Sequence, residues 1–173
     1  ASGGFSTAIH ALLWLAYEKK IFQKYGLDGE YLALESGTPA MQALLANELH
    51  IVFTTGALAI TANLQGADAT IIAGGINFIP NKLLVRPEIK TPEGLKGKRI
   101  AISRFGSASD YATQVALEKL GVNRKDVTIV QTGGNMTRLA ALSQGTVHAA
   151  LLSEPHTTVG MREFKLKSLI DLG

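Results

Sequence analysis

No cysteine occurs in the 173 residues. That absence excludes disulfide frameworks, thiolate metal sites and thiol catalysis together. Aromatic residues are scarce at 6%, and charged residues make up only 18%; low charge with many glycines fits α/β packing with tight turns and argues against disorder. Long apolar runs are also lacking, and none reaches the roughly 18–20 residues of a membrane span. The apolar stretch 8–17 is short, contains His10, and has neither the basic flank nor the cleavage site of a secretory leader. Basic residues are scattered despite a net charge of +3: Lys96, Lys98 and Arg99 form the densest group, with Lys119 and the Arg124-Lys125 pair in later loops. Without an aromatic-interleaved basic stripe, a nucleic-acid partner is not expected. The mild positive balance is compatible with an anionic ligand.

Catalytic signatures are missing too. The chain has no H-E-x-x-H, no Gly-rich phosphate loop ending in Lys-Ser/Thr and no G-x-S-x-G elbow. No nucleophile, base and orienter can be read as a set, and no metal or cofactor is expected. Asn135-Met136-Thr137 matches a glycosylation acceptor only formally.

What the chain does contain is an internal repeat. Residues 1–55 run Gly-Ser loop, apolar helix, Glu-Lys, Gly, strand, Ser36-Gly37, helix, Ala-Leu, His50, strand. Residues 104–153 follow the same order, through Phe105-Gly106-Ser107, Glu118-Lys119, Gly121, Thr132-Gly133, Ala141-Leu142 and His148. The segments A-L-L-A-N-E-L-H-I-V-F at 43–53 and A-L-S-Q-G-T-V-H-A-A-L at 141–151 align most clearly. Two lobes of like topology imply a cleft, the usual place for a ligand.

Apolar periodicity predicts a helix over 8–25, stopped by Gly26, then a strand over 30–34 and a helix from Ser36 to about Asn47 with Pro39 in its first turn. Strands are expected at 51–53, 70–73 and 82–85, with an alanine-rich helix over 57–65. The stretch T-P-E-G-L-K-G-K at 91–98 marks a lobe boundary, giving lobes at 1–85 and 86–173. The second lobe reads strand 99–102, helix 108–120, strand 127–130, helix 136–144, strand 149–152, helix 157–164 and strand 168–172. Such alternation predicts mostly parallel sheets with helices on both faces. The second lobe opens with a strand before its Gly-Ser loop and the first does not, so the natural protein is expected to extend N-terminally.

Ligands of open α/β sheets sit beyond the carboxyl ends of strands, against helix N-termini. That rule selects the loops 2–7, 36–38, 54–56, 74–78, 104–110, 132–135 and 153–156, rich in Gly, Ser and Thr, with Phe5, Phe78 and Phe105 as their aromatic members. Ser36, Thr132 and Ser109 also suit plain helix capping. Arg104 is more specific, because a guanidinium makes bidentate contact with a carboxylate or sulfonate. With Ser107 it is expected to hold the acidic end of a ligand at the helix that follows. Asp110 there is expected to face solvent and serve the dipole. His50 and His148 fall at the opposite ends of their strands, His10 lies within an apolar helix, and His156 alone is near the candidate loops.

The runs E-K-K-I-F-Q-K-Y-G-L-D at 18–28, E-S-G-T-P-A-M-Q-A-L-L-A at 35–46, G-A-D-A-T-I-I-A-G at 66–74, V-R-P-E-I at 85–89, L-K-G-K-R-I-A at 95–101, R-F-G-S-A-S-D-Y-A at 104–112 and A-L-S-Q-G-T-V-H-A-A at 141–150 cover nearly the whole chain. In this order they resemble the periplasmic solute-binding proteins of ABC importers, in the nitrate, sulfonate and taurine subgroup. The resemblance implies a two-lobed periplasmic-binding fold that closes on a small organic anion or polar heterocycle and docks on a membrane permease outside the cytoplasm. It carries ligand contacts over to Ser36, Thr38, Thr54, Thr55, Ser107 and Ser109, and adds Asn77, Arg104 and Glu154; Phe5 joins them from the first loop. The chain departs from the family in having His50 and His148 where Asp is common. It also lacks the leading strand and the returning C-terminal segment, as a piece truncated at both ends would. Two alternatives share this architecture: an enzyme of menaquinone- or thiamine-precursor biosynthesis, and the effector-sensing domain of a regulator. The pyrimidine synthases of the first kind carry a Cys-rich motif, which this chain lacks.

Overall fold

The computed structural model describes residues 2–3 and 7–173. Two compact units divide between Ile71 and Ile72. The expected boundary at 85/86 differs because the strand over 82–85 bonds to strands of the second unit, described below.

In the first unit, β1 (Ser2–Gly3) pairs in parallel with β2 (Ala33–Leu34). Between them lie α1 (Thr7–Glu18) and α2 (Ile21–Lys24). The single helix expected over 8–25 is broken at Lys20, whose φ of 52° reverses the chain. Lysine carries no turn signal, so propensity alone misses this break. Next come α3 (Gly37–Leu45) and α4 (Gly56–Leu64), which pack through Met41, Leu58, Ala59 and Ala62. His10 is buried, its ring set edge-on to Phe53 at 5.5 Å. The strands expected at 51–53 and 70–73 do not form; Phe53 makes an isolated bridge, and Ile51, Ile71 and Ile72 are exposed. An apolar run becomes a strand only where a neighbour supplies a continuous ladder, and the single bridge at Phe53 is not extended into one.

The second unit is built on a five-stranded sheet. Its strands are β3 (Lys82–Val85), β4 (Arg99–Ile102), β5 (Thr128–Gln131), β6 (Ala149–Leu152) and β7 (Lys167–Asp171), in the order β5-β4-β6-β3-β7. Strand β4 runs parallel to β5 and β6, whereas β3 is antiparallel to both β6 and β7. Four strands therefore share one direction and β3 alone opposes them. The helices are α5 (Ala108–Lys119), α6 (Asn135–Ser143) and α7 (His156–Glu163). Every strand and helix expected from Lys82 onward forms, with ends shifted by one residue at most.

Strand alternation decides which helix covers which face. Leu83, Val85, Ile100, Ala149 and Leu151 point to the layer that holds Ala112, Ala116 and Leu117 of α5. Leu84, Ala101, Ala150 and Leu152 point the other way, to Leu139 and Leu142 of α6 and to Leu166. β6 is fully buried on both faces, as its all-apolar sequence A-A-L-L requires. Each such Leu or Ile stabilises the fold by about 1.5–3 kcal/mol.

Candidate functional site

Because β4, β5 and β6 are parallel, their carboxyl ends at Ile102, Gln131 and Leu152 open on one edge of the sheet. The helices α5, α6 and α7 begin there, so three positive dipole ends and three sets of first-turn amides converge. Cross-bonds hold the loops together. Gln131 Oε1 accepts the Phe105 amide at 2.8 Å, and the Thr132 amide donates to Ile102 O at 3.0 Å.

The loop after β4 contains a closed ring of hydroxyls. Ser103 Oγ donates to Ser107 Oγ at 2.8 Å, and Ser109 Oγ lies 2.9 Å from each of them. All three serines are buried. Ser109 Oγ also accepts the Ser103 amide at 2.8 Å, and Ser107 Oγ accepts the Asp110 amide at 3.4 Å as the cap of α5. The Ser107 and Ser109 hydroxyls thus support the loop from within. Ser103 completes the ring and was not among the expected residues; a lone Ser at a strand end carries no signal of its own.

Asp110 does not face solvent as expected. It is 5% exposed, its Oδ2 accepts the Gly106 amide at 2.9 Å, and its Oδ1 pairs with Arg124 Nη2 at 2.7 Å. The spacing Ser107-x-x-Asp110 is a shortened capping box, a signal that could have placed this carboxylate against the loop. Arg104 is exposed, and its side chain makes no hydrogen bond or ion pair among the described residues.

After β5 and β6 a second network forms. Arg138 is 4% exposed; its Nε donates to Leu151 O at 2.9 Å, Nη1 to Gly133 O at 2.8 Å and Nη2 to Asn135 Oδ1 at 2.8 Å. Asn135 Nδ2 reaches Ser153 Oγ at 3.1 Å, so the formal glycosylation asparagine is engaged inside the network. Glu154 is half-buried, and its Oε2 accepts the Thr158 amide and hydroxyl at 3.2 and 2.8 Å. Burial alone would raise the Glu154 carboxyl, but the nearby Thr157 hydroxyl and the hydrogen bonds from Thr158 hold it below its ordinary value, with help from the Lys82 charge. Burial, followed by the charge of Arg138, lowers the His156 imidazole, whose buried Nδ1 has no partner among the described residues.

In the first unit, the start of α3 gathers Ser36, Thr38 and Thr54. Ser36 is 4% exposed and sits at the N-cap, yet its hydroxyl makes no capping bond. Its Oγ and Thr38 Oγ1 are buried without a hydrogen-bond partner among the described residues. Gly37 lies so close to Thr54 that a Cβ there would collide with Thr54 Oγ1. Thr55 caps α4 by position, also without a side-chain bond. Capping therefore does not account for Ser36 or Thr55. Asn77 is exposed on the loop Gly74–Phe78, which lines an open hollow of about 440 Å³. Phe5 lies outside the described residues. Among the described residues no three His, Asp or Glu side chains converge as a metal site, and no helix is long and apolar enough to cross a membrane.

The family model described as NMT1/THI5 like matches residues 7–170. The chain belongs to that family. A putative aliphatic sulfonates-binding protein of Bacillus subtilis is 28% identical over 153 residues, covering 87% of this chain and 46% of its own length. The alkanesulfonate-binding protein SsuA from Xanthomonas axonopodis pv. citri, solved bound to MOPS, superposes with a TM-score of 0.80 at 21% identity, over 94% of this chain and 57% of its own. PhnD1 from Prochlorococcus marinus, solved with methylphosphonate, superposes with a TM-score of 0.74 at 16% identity, over 98% and 70%. The family member described here has the fold of these binding proteins, and it spans less than half the length of the curated relatives it matches.

Proposed function

We propose that this chain is the solute-capturing part of an ABC importer and binds a small organic anion of the sulfonate or phosphonate class, releasing it unchanged to a membrane permease. One observation carries the reading: the buried hydroxyls of Ser36 and Thr38 at the start of α3 have no partner among the described residues. A buried unpaired hydroxyl costs about 1–3 kcal/mol, and an oxyanion seated there supplies the missing acceptor. The loop after β4 offers a second set of donors. The Ala108 and Ser109 amides begin α5 and have no acceptor within the helix, and the Arg104 guanidinium stands one short loop away. The sulfonate and methylphosphonate proteins named above support the ligand class, and the likeness to the periplasmic aliphatic sulphonate binding protein SsuA from Escherichia coli supports work outside the cytoplasm. Binding without turnover is supported by the relatives and structural neighbours, which are named as binding proteins.

The test is calorimetric titration with alkanesulfonates, alkylphosphonates and sulfate, followed by recovery of the bound molecule. Saturable binding of one of the organic anions, recovered intact, is the expected result. No binding of any anion, or conversion of one at catalytic stoichiometry, overturns the reading.

A further inference from the structure

The start of α5 carries a contradiction for an anion site. Asp110, in the first turn of that helix, places a full negative charge beside the amides that would receive the ligand, and it is only 5% exposed, so water screens it poorly. The structure resolves this through a residue far along the chain. Arg124, in the 3₁₀ turn Arg124–Asp126 that leads into β5, pairs with Asp110 Oδ1 at 2.7 Å. The same carboxylate uses its other oxygen, Oδ2, to hold the Gly106 amide at 2.9 Å, where the loop turns with a φ of +73°. One carboxylate thus shapes the loop, and one guanidinium cancels the charge that this shaping brings.

We propose that Arg124 is a positioning and charge-compensating residue of the anion site: without touching the ligand, it keeps the start of α5 attractive to an anion by neutralising Asp110. The inference rests on the reading above that the loop after β4 receives an anion. A unit charge left uncompensated within a helical turn of the ligand, at the effective dielectric of a protein surface, weakens anion binding by roughly tenfold or more. Removing the carboxylate charge while keeping its acceptor has the opposite effect, because Asn at position 110 still accepts the Gly106 amide through its amide oxygen.

The experiment titrates the full chain and three variants, Arg124→Ala, Asp110→Asn and the double variant, with butanesulfonate and methylphosphonate at low and high salt. Melting temperatures are recorded alongside. The expected order of affinity is Asp110→Asn at or above the parent, the double variant close to the parent, and Arg124→Ala about tenfold weaker, with the gap largely kept at high salt because the carboxylate is buried. A larger Arg124→Ala loss for dianionic methylphosphonate than for butanesulfonate, recovered in the double variant, is the decisive result, since a purely structural defect weakens both anions alike. Parent-like affinity in Arg124→Ala, or a double variant as weak as Arg124→Ala, overturns the inference while leaving the anion reading intact. Failure of the parent to bind either anion overturns that reading, and the inference with it.

Discussion

Arg138 on α6 donates its Nε to the main-chain oxygen of Leu151 on β6 at 2.9 Å, with the guanidinium buried. This bond fastens the helix to the last turn of a strand that is buried on both faces, where the candidate loops begin. The same side chain also holds Gly133 and Asn135, so one residue orders the exits of two strands.

Arg138→Ala is expected to destabilise the protein by about 3–5 kcal/mol. It removes several charge-assisted bonds and leaves carbonyls buried without donors. Arg138→Lys retains the charge but loses the planar fork, and should recover only part of the loss. Denaturant midpoints of the three proteins check this; equal midpoints would mean that water replaces the guanidinium freely.

The serine ring makes an asymmetric expectation. Ser109→Ala leaves the buried Ser103 amide without its acceptor and should cost about 1–3 kcal/mol. Ser103→Ala removes a hydroxyl whose two neighbours can still bond to each other, and should cost less. Thermal unfolding of both variants gives the order, and a reversed order would contradict the assigned ring.

Arg104 and Ser107 separate binding from stability. Arg104 is exposed and unbonded among the described residues, so Arg104→Ala should leave the melting temperature unchanged. If the guanidinium meets the anion, affinity falls by about ten- to a hundredfold, the worth of a charged hydrogen bond. Ser107→Ala should weaken binding less, because the helix amides remain. Calorimetry with the tightest anion decides it, and unchanged affinity for Arg104→Ala would remove that residue from the site.

His148 gives the protein a pH signature. Its Nδ1 accepts the Arg99 amide at 3.3 Å, which requires an unprotonated nitrogen. Burial, then the charges of Lys98, Arg99 and Arg86, lowers its pKa in the fold. In the window between that lowered value and about 6.5 the unfolded chain holds more protons. Stability should therefore rise with pH through this window and level off above it. His156 shifts in the same direction, so His148→Gln should flatten the slope without abolishing it. Unfolding free energies measured from about pH 5 to 7 test this, and an unaltered slope in the variant would count against a neutral, hydrogen-bonded His148.

The amino-acid sequence by itself determined the elements of the second unit. Its apolar runs are bounded by Gly, Pro and Ser signals that act over a few residues, and each strand and helix appeared where those signals put it, as at β4 and β6. It also pointed to the strand-end loops, because in parallel α/β sheets the chain direction sets the edge where helices begin. Only tertiary structure decided the rest. The runs at 51–53 and 70–73 are as strand-like as β6, but a strand needs a partner from elsewhere in the chain. The strand over 82–85 follows the first repeat in sequence yet joins the second unit, because β6 and β7 offer it both of its ladders. Asp110 reads as an ordinary helix-start acid. Its burial depends on Arg124, fourteen residues away along the chain and 2.7 Å away in space, and local patterning carries no record of such a pairing.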